Sequence, residues 1–107
     1  MQAFRDMYDV VVNRRDNPQE GSYTCYLFEK GLDKNLKKVG EECAETIIAA
    51  KNENSQDTVG EISDLIYHLM VMMVEKEIPL ERVMEELDRR SAKIGNLKTF
   101  KQVDRET

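Results

Sequence analysis

One segment limits the fold of this chain more than any other. Residues 57–77 carry Ile62, Leu65, Ile66, Leu69, Met70, Val71, Met72, Met73 and Val74, and the second half has almost no polar face. The spacing predicts a helix from about Asp57 to Glu77. A helix that is apolar all round must be buried on every side. Its unbroken apolar run, Leu69–Val74, is far too short to cross a membrane. The chain has 107 residues, so one domain spanning 1–107 is expected, and a domain of that size has a limited core. The burial this helix demands is therefore expected to come from a second subunit, making a homodimer.

The rest of the chain also reads as helix. Phe4, Met7, Tyr8, Val11 and Val12 mark one face of a first helix over about Met1–Asn13, which Asn17-Pro18 ends. Ser22 is a candidate N-cap for a short helix ending before Gly31. Asp33 is a candidate cap for a third helix reaching about Asn52, with an apolar stripe of Leu36, Val39, Cys43, Ile47 and Ile48. The short polar connection Asn52–Ser55 makes the next helix its antiparallel neighbour. Ile78-Pro79 breaks that helix, and Leu80, Val83, Met84 and Leu87 mark a fifth to about Ser91. The tail over 93–107 has weak periodicity. No stretch alternates with period two long enough to predict a strand. The expected class is all-α, a bundle of about four to five helices.

Charge is unevenly placed. The formal net charge is −5, and residues 33–77 alone carry −5. That balance argues against a protein whose first task is gripping nucleic acid. A hydrophobic content of 40% argues against disorder. Two cysteines do not make a disulfide scaffold, so both read as small buried residues in a reducing cytoplasm. Nothing at the N-terminus reads as a signal peptide.

Spacing distinguishes a solvated acidic face from a cation site. Glu42 and Glu45 stand at i, i+3 on the third helix, and Glu61 and Asp64 do so on the fourth. Lys38, Glu42, Glu45 and Ala49 form one stripe; Asp57 and His68 extend that of Glu61 and Asp64. Helices packed about 8–10 Å apart would bring four carboxylates together. Such a group repels itself unless it binds protons or a cation. Oxygen ligands without Cys, and with at most one His, suit Mg²⁺ or Mn²⁺ rather than zinc. Either acidic pair alone is an ordinary solvated face. A di-iron bundle would use Glu-x-x-His pairs, and the only His follows Asp64 by four residues.

Several strings sharpen this reading. Gly21-Ser22-Tyr23-Thr24, Gly31-Leu32-Asp33-Lys34, Lys37-Lys38-Val39-Gly40-Glu41-Glu42, Ala49-Ala50-Lys51-Asn52 and Glu61-Ile62-Ser63-Asp64-Leu65-Ile66-Tyr67-His68-Leu69 occur in that order. Over about residues 14–90 the chain resembles the phosphoribosyl-ATP pyrophosphohydrolase family of histidine biosynthesis. That family belongs to the all-α, MazG-like nucleotide pyrophosphohydrolases, marked by E-E-x-x-E followed by E-x-x-D. The resemblance implies a dimerising helical bundle that hydrolyses phosphoribosyl-ATP to phosphoribosyl-AMP and pyrophosphate with Mg²⁺. It implies Glu42, Glu45, Glu61 and Asp64 as metal ligands, with Glu41 as a helper. Cys43 and Ser63 stand where the family commonly has Ala, and both are small enough to leave the site intact. The family is often fused to the next enzyme of the pathway; no second domain is expected here.

The chemistry then assigns roles. Glu41 or Glu45 is the expected proton acceptor for the attacking water. Lys38 is the first choice for the triphosphate, with Lys37, Lys34, Lys51 and Asn52 as further substrate contacts. Ser22 and Thr24 are expected phosphate donors, Ser22 being equally suited to capping. Tyr23 either stacks on the base or packs. His68 either supports a ligand carboxylate or is a satisfied core residue. Two alternatives stand beside this reading: a house-cleaning (d)NTP pyrophosphatase of the same superfamily, and a helical dimerisation module with merely solubilising acidic faces.

Overall fold

The computed structural model describes residues 2–94, and the tail expectation falls outside them from residue 95 onward. Five helices follow one another: α1 (Gln2–Asp16), α2 (Tyr23–Lys30), α3 (Leu32–Ala50), α4 (Ser55–Glu75) and α5 (Leu80–Ile94). Among the described residues there is no strand.

Local chemistry sets most boundaries. Ser22 has extended dihedrals, and its Oγ accepts from the Cys25 N–H at 3.2 Å, the N-cap that starts α2. Gly31, at φ +94°, ends α2 and begins α3 without an intervening loop. Such a conformation suits a residue with no Cβ. Asp33 therefore lies inside the first turn of α3 and does not cap it. There its charge faces the positive end of the helix. Asn54 caps α4 through the Gln56 N–H. Pro79 follows the end of α4, where Glu77 adopts a left-handed φ of 57° and the Ile78 N–H reaches back to the Met73 carbonyl.

The α3/α4 pair is the spine. Asn35 Nδ2 donates to the His68 carbonyl, Thr46 Oγ1 to the Glu61 carbonyl, and Thr58 Oγ1 to the Ala49 carbonyl. Residues rising along α3 meet residues falling along α4, so the helices are antiparallel. α1 lies along α4, and α2 touches α1, α3 and α4.

Four residues of the apolar half of α4 are buried within its own chain. Val71 and Val74 pack with Val11 of α1 and Leu27 of α2, while Met70 and Met73 pack with Leu80 under Phe4, Val83 and Met84. These four residues form one broad face of α4, covered by α1, α2 and α5, while Leu65, Leu69 and Met72 on the other side stay half-buried. The chain's own helices supply the cover for Met70, Val71, Met73 and Val74, and the remaining apolar residues of the segment are half-buried or exposed. Val71→Ala removes two methyl groups from a fully buried position. A loss of about 2 kcal/mol is expected, lowering Tm by about 10 °C in a thermal melt.

The surplus apolar surface lies elsewhere. On α3 the buried residues are Asn35, Glu42 and Ala49. Leu36, Ile47 and Ile48 are 42%, 67% and 63% exposed, and Cys43 is exposed as well. The helix turns its acidic stripe inward and its apolar stripe outward. The expectation that Cys43 is buried fails for the single chain, because α4 pairs with the other face. Val59 and Ile62, at the matching level of α4, are also exposed.

Candidate metal centre

The inward turn of α3 builds the site. Glu42 points toward α4 and is only 7% exposed. Glu45 is one turn on, at the surface, and Glu61 comes across from α4. Each offers a carboxylate oxygen, and the three oxygens lie within 4.8 Å of one another. Thr46 ties the two backbones at this level, its Oγ1 reaching the Glu42 carbonyl at 2.7 Å and the Glu61 carbonyl at 3.3 Å. Composition offered no signal for Thr46; its position one turn after Glu42, facing α4, was the available clue.

This cluster is electrostatically uncomfortable. Burial, and then the neighbouring Glu45, push Glu42 up to about 7. Partial desolvation and Glu45 raise Glu61 as well. Asp64 is exposed and outside the close triple, yet its charge also raises both groups. Glu42 Oε2 and Glu61 Oε2 are buried with no hydrogen-bond partner. Orphaned carboxylate oxygens in an all-oxygen cluster are what a hard divalent cation would satisfy. The residues fit Mg²⁺.

A stability prediction follows with a definite sign. Glu42 holds its proton more tightly folded than unfolded, where its ordinary value is 4.5. The stability it contributes is full below 4.5 and is lost as pH rises through about 7. Without divalent cations, Tm is expected to fall by about 5 °C between pH 5 and pH 8. Added Mg²⁺ should restore it at pH 8, because a ligand bound only by the folded state stabilises that state. Scanning calorimetry with EDTA and with Mg²⁺ checks both; a pH-independent Tm would contradict the account.

The other expected site residues fall into three groups. Glu45, Glu61 and Asp64 line a cleft of about 400 Å³ together with Asn52, Gln56 and Asp57. Gln56 was not foreseen; it enters because the first turn of α4 closes the end of the cleft. Lys38 and Glu41 sit beside the cluster, paired Nζ to Oε1 at 3.6 Å. Lys37 and Lys51 are exposed, Lys34 is half-buried, and Lys51 forms the C-cap of α3.

The third group lies on α2 and its contacts. Ser22 spends its oxygen on the helix cap. Thr24 is turned inward, and its hydroxyl meets the Tyr67 hydroxyl at 2.5 Å. This placement differs from the expected phosphate donor, because α2 packs its Thr24 and Leu27 side into the bundle. Tyr23 is exposed, with its hydroxyl 3.1 Å from His68 Nε2. His68 is buried, and its Nδ1 meets the main-chain carbonyl of Asp64 at 2.8 Å. Of the two expected readings, the geometry matches the satisfied buried residue: on a helix, a ring four residues on reaches back to the carbonyl and not to the Asp64 carboxylate.

An antiparallel helix pair with carboxylates from both members brought together defines the class: an all-α protein with an anionic cluster beside a cleft. Residues 4–91 match the family model described as phosphoribosyl-ATP pyrophosphohydrolase. The chain belongs to that family. A phosphoribosyl-ATP pyrophosphatase of Clostridium novyi (strain NT) is 53% identical over 96 residues, covering 90% of this chain and 87% of the relative. One from Clostridium botulinum (strain Kyoto / Type A2) is 58% identical over 92 residues, covering 86% and 84%. The histidine biosynthesis bifunctional protein HisIE of Thermoanaerobacter pseudethanolicus is 65% identical over 82 residues, which span 77% of this chain and 38% of that protein.

Proposed function

We propose that this chain hydrolyses phosphoribosyl-ATP to phosphoribosyl-AMP and pyrophosphate in histidine biosynthesis, with Mg²⁺ held by Glu42, Glu45, Glu61 and Asp64. The observation that carries this reading is the match over residues 4–91, which contains the whole carboxylate cluster. Bound Mg²⁺ would neutralise charge on the phosphate oxygens as the anhydride breaks.

The chain's own residues supply the rest. Glu42, the buried member, holds the floor of the site, and Glu61 faces it from α4. Lys38 sits at the rim with its ammonium free to turn from Glu41 toward the triphosphate. Water attacks phosphorus, the bond to the bridging oxygen breaks, and pyrophosphate leaves with the electron pair. The proton lost by the water passes to Glu45 or Glu41, both at the solvent edge.

The exposed Leu36, Ile47, Ile48, Val59 and Ile62 support a homodimer. Among the described residues no helix is long and apolar enough to cross a membrane.

The test is pyrophosphate release from a panel of phosphoribosyl-ATP, ATP and dNTPs, with Mg²⁺ and with EDTA. Turnover of phosphoribosyl-ATP that requires Mg²⁺ is the expected result. Preferential turnover of dNTPs would replace the substrate with that of a house-cleaning enzyme. Activity persisting in EDTA would remove the metal.

A further inference from the structure

A second cleft, of about 810 Å³, opens on the other side of α2. Its volume is within the range of roughly 300–1,000 Å³ typical of small-molecule sites. The rings of Tyr23 and Tyr26 form part of its lining, stacked with centroids 5.9 Å apart and planes 23° from parallel. Arg14 and Arg15 line it too, but so do Glu20 and Glu29. Formal charge around the cleft therefore balances. That lining suits a flat neutral heteroaromatic ring better than a phosphate.

Tyr23 also belongs to the neighbourhood of the carboxylates. Desolvation raises its phenol, and the charges of Lys38 and Glu42 act on it as well. It lines the aromatic cleft, and its hydroxyl is tied through His68 to the main chain of Asp64, which lines the carboxylate cleft. Nearly half of this residue, 45%, is exposed, so packing alone does not fix its ring.

His68 does. A backbone carbonyl only accepts, so the Nδ1 that meets the Asp64 carbonyl carries the ring proton. In the neutral ring, Nε2 is then an acceptor, and the Tyr23 hydroxyl donates to it. The imidazole also meets the Tyr23 ring edge-on at 5.8 Å and the Tyr67 ring at 4.9 Å. Thr24 pins Tyr67 from the other end. The hydrogen-bond chain has one direction: Tyr23 to His68 to the main chain of Asp64.

We propose that the cleft beside Tyr23 and Tyr26 receives the adenine ring of the substrate, stacked on Tyr23, and that His68 is the positioning residue holding that ring in place. The inference rests on the proposed phosphoribosyl-ATP activity for its substrate, but not for its geometry. A base stacked on Tyr23 in the aromatic cleft lies one hydrogen-bonded residue, His68, away from Asp64 of the carboxylate cleft, so the triphosphate of the same molecule extends toward the carboxylates.

The chain has a single His, so the ¹⁵N spectrum of the labelled imidazole is unambiguous. The expected state is Nδ1 protonated and Nε2 bare, with the Nε2 signal moving in Tyr23→Phe. AMP, titrated in metal-free buffer, should shift the Tyr23 and Tyr26 ring signals. Tyr23→Ala should raise KM for phosphoribosyl-ATP about tenfold, the scale of a base–aromatic stack, with a smaller fall in kcat. Tyr23→Phe and His68→Gln should each raise KM, and the double variant should raise it no further than either one, because both cut the same bond. If His68→Gln does not fold, the imidazole spectrum of Tyr23→Phe still decides. A proton on Nε2, additive KM effects, or AMP shifts that bypass Tyr23 would each overturn the inference. AMP shifts at Tyr23 in a protein that does not turn over phosphoribosyl-ATP would keep the base site and remove the proposed substrate.

Discussion

Replacing Glu42 with Gln is expected to lower Mg²⁺-dependent pyrophosphate release by about 10²–10³-fold, the scale set by several kcal/mol of charge stabilisation from a bound cation. The substitution keeps size and shape and removes one charge. Glu42 is the deepest carboxylate of the cluster and carries a buried, unpartnered Oε2. Its neighbours cannot replace it, since Glu45 is exposed and Glu61 only half-buried. The same variant should melt higher than the parent at pH 8 without metal, because the like charges are relieved. It should also lose most of the Mg²⁺-induced rise in Tm. Activity and stability moving in opposite directions is the diagnostic result; a variant that is merely misfolded would lose both. Retained activity in Glu42→Gln would show that the cluster is not the catalytic centre.

Ile47→Asp is expected to leave the chain monomeric. Ile47 is 67% exposed, Ile48 63% and Val59 52%, and the first two share a face of α3 with Leu36. A two-fold dimer built on this patch would bring the same patch from each copy together. A carboxylate there would be introduced twice and desolvated each time, costing several kcal/mol per ion. The substitution should weaken association by at least three orders of magnitude, at about 1.4 kcal/mol per tenfold. Sedimentation equilibrium distinguishes the outcomes, since the monomer is 12.5 kDa. A parent protein that sediments at the monomer mass would contradict the dimer. So would an Ile47→Asp variant that stays associated.

These two predictions concern opposite faces of one helix, and the sequence identified both faces. The stripe Leu36, Cys43, Ile47, Ile48 and the stripe Lys38, Glu42, Glu45, Ala49 follow from about 100° per residue along α3. Their environments did not follow. An apolar stripe ordinarily faces the nearest core, yet here α4 lies against the acidic one. The α4 segment divides in the complementary way: its apolar character demands burial, and α1, α2 and α5 bury Met70, Val71, Met73 and Val74 but leave Leu65, Leu69 and Met72 half-covered.

The site was legible to a similar depth. Two acidic pairs at i, i+3 were visible as pairs, and the short connection Asn52–Ser55 put their helices side by side. Bringing Glu42, Glu45 and Glu61 within 4.8 Å needed the register that Thr46 and Thr58 set across the helix pair. Ser22 was readable as a cap because capping is local. The partners of His68 and Tyr23 were not, because 45 residues separate them.

The sequence by itself determined the helices, where most of them stop, and which residues share a face. These depend on backbone hydrogen bonds and caps within a few residues. The tertiary structure alone decided which face meets which neighbour, which carboxylate is buried, and what His68 holds. Those outcomes depend on how five helices divide a limited core among themselves, and no helix carries that information alone.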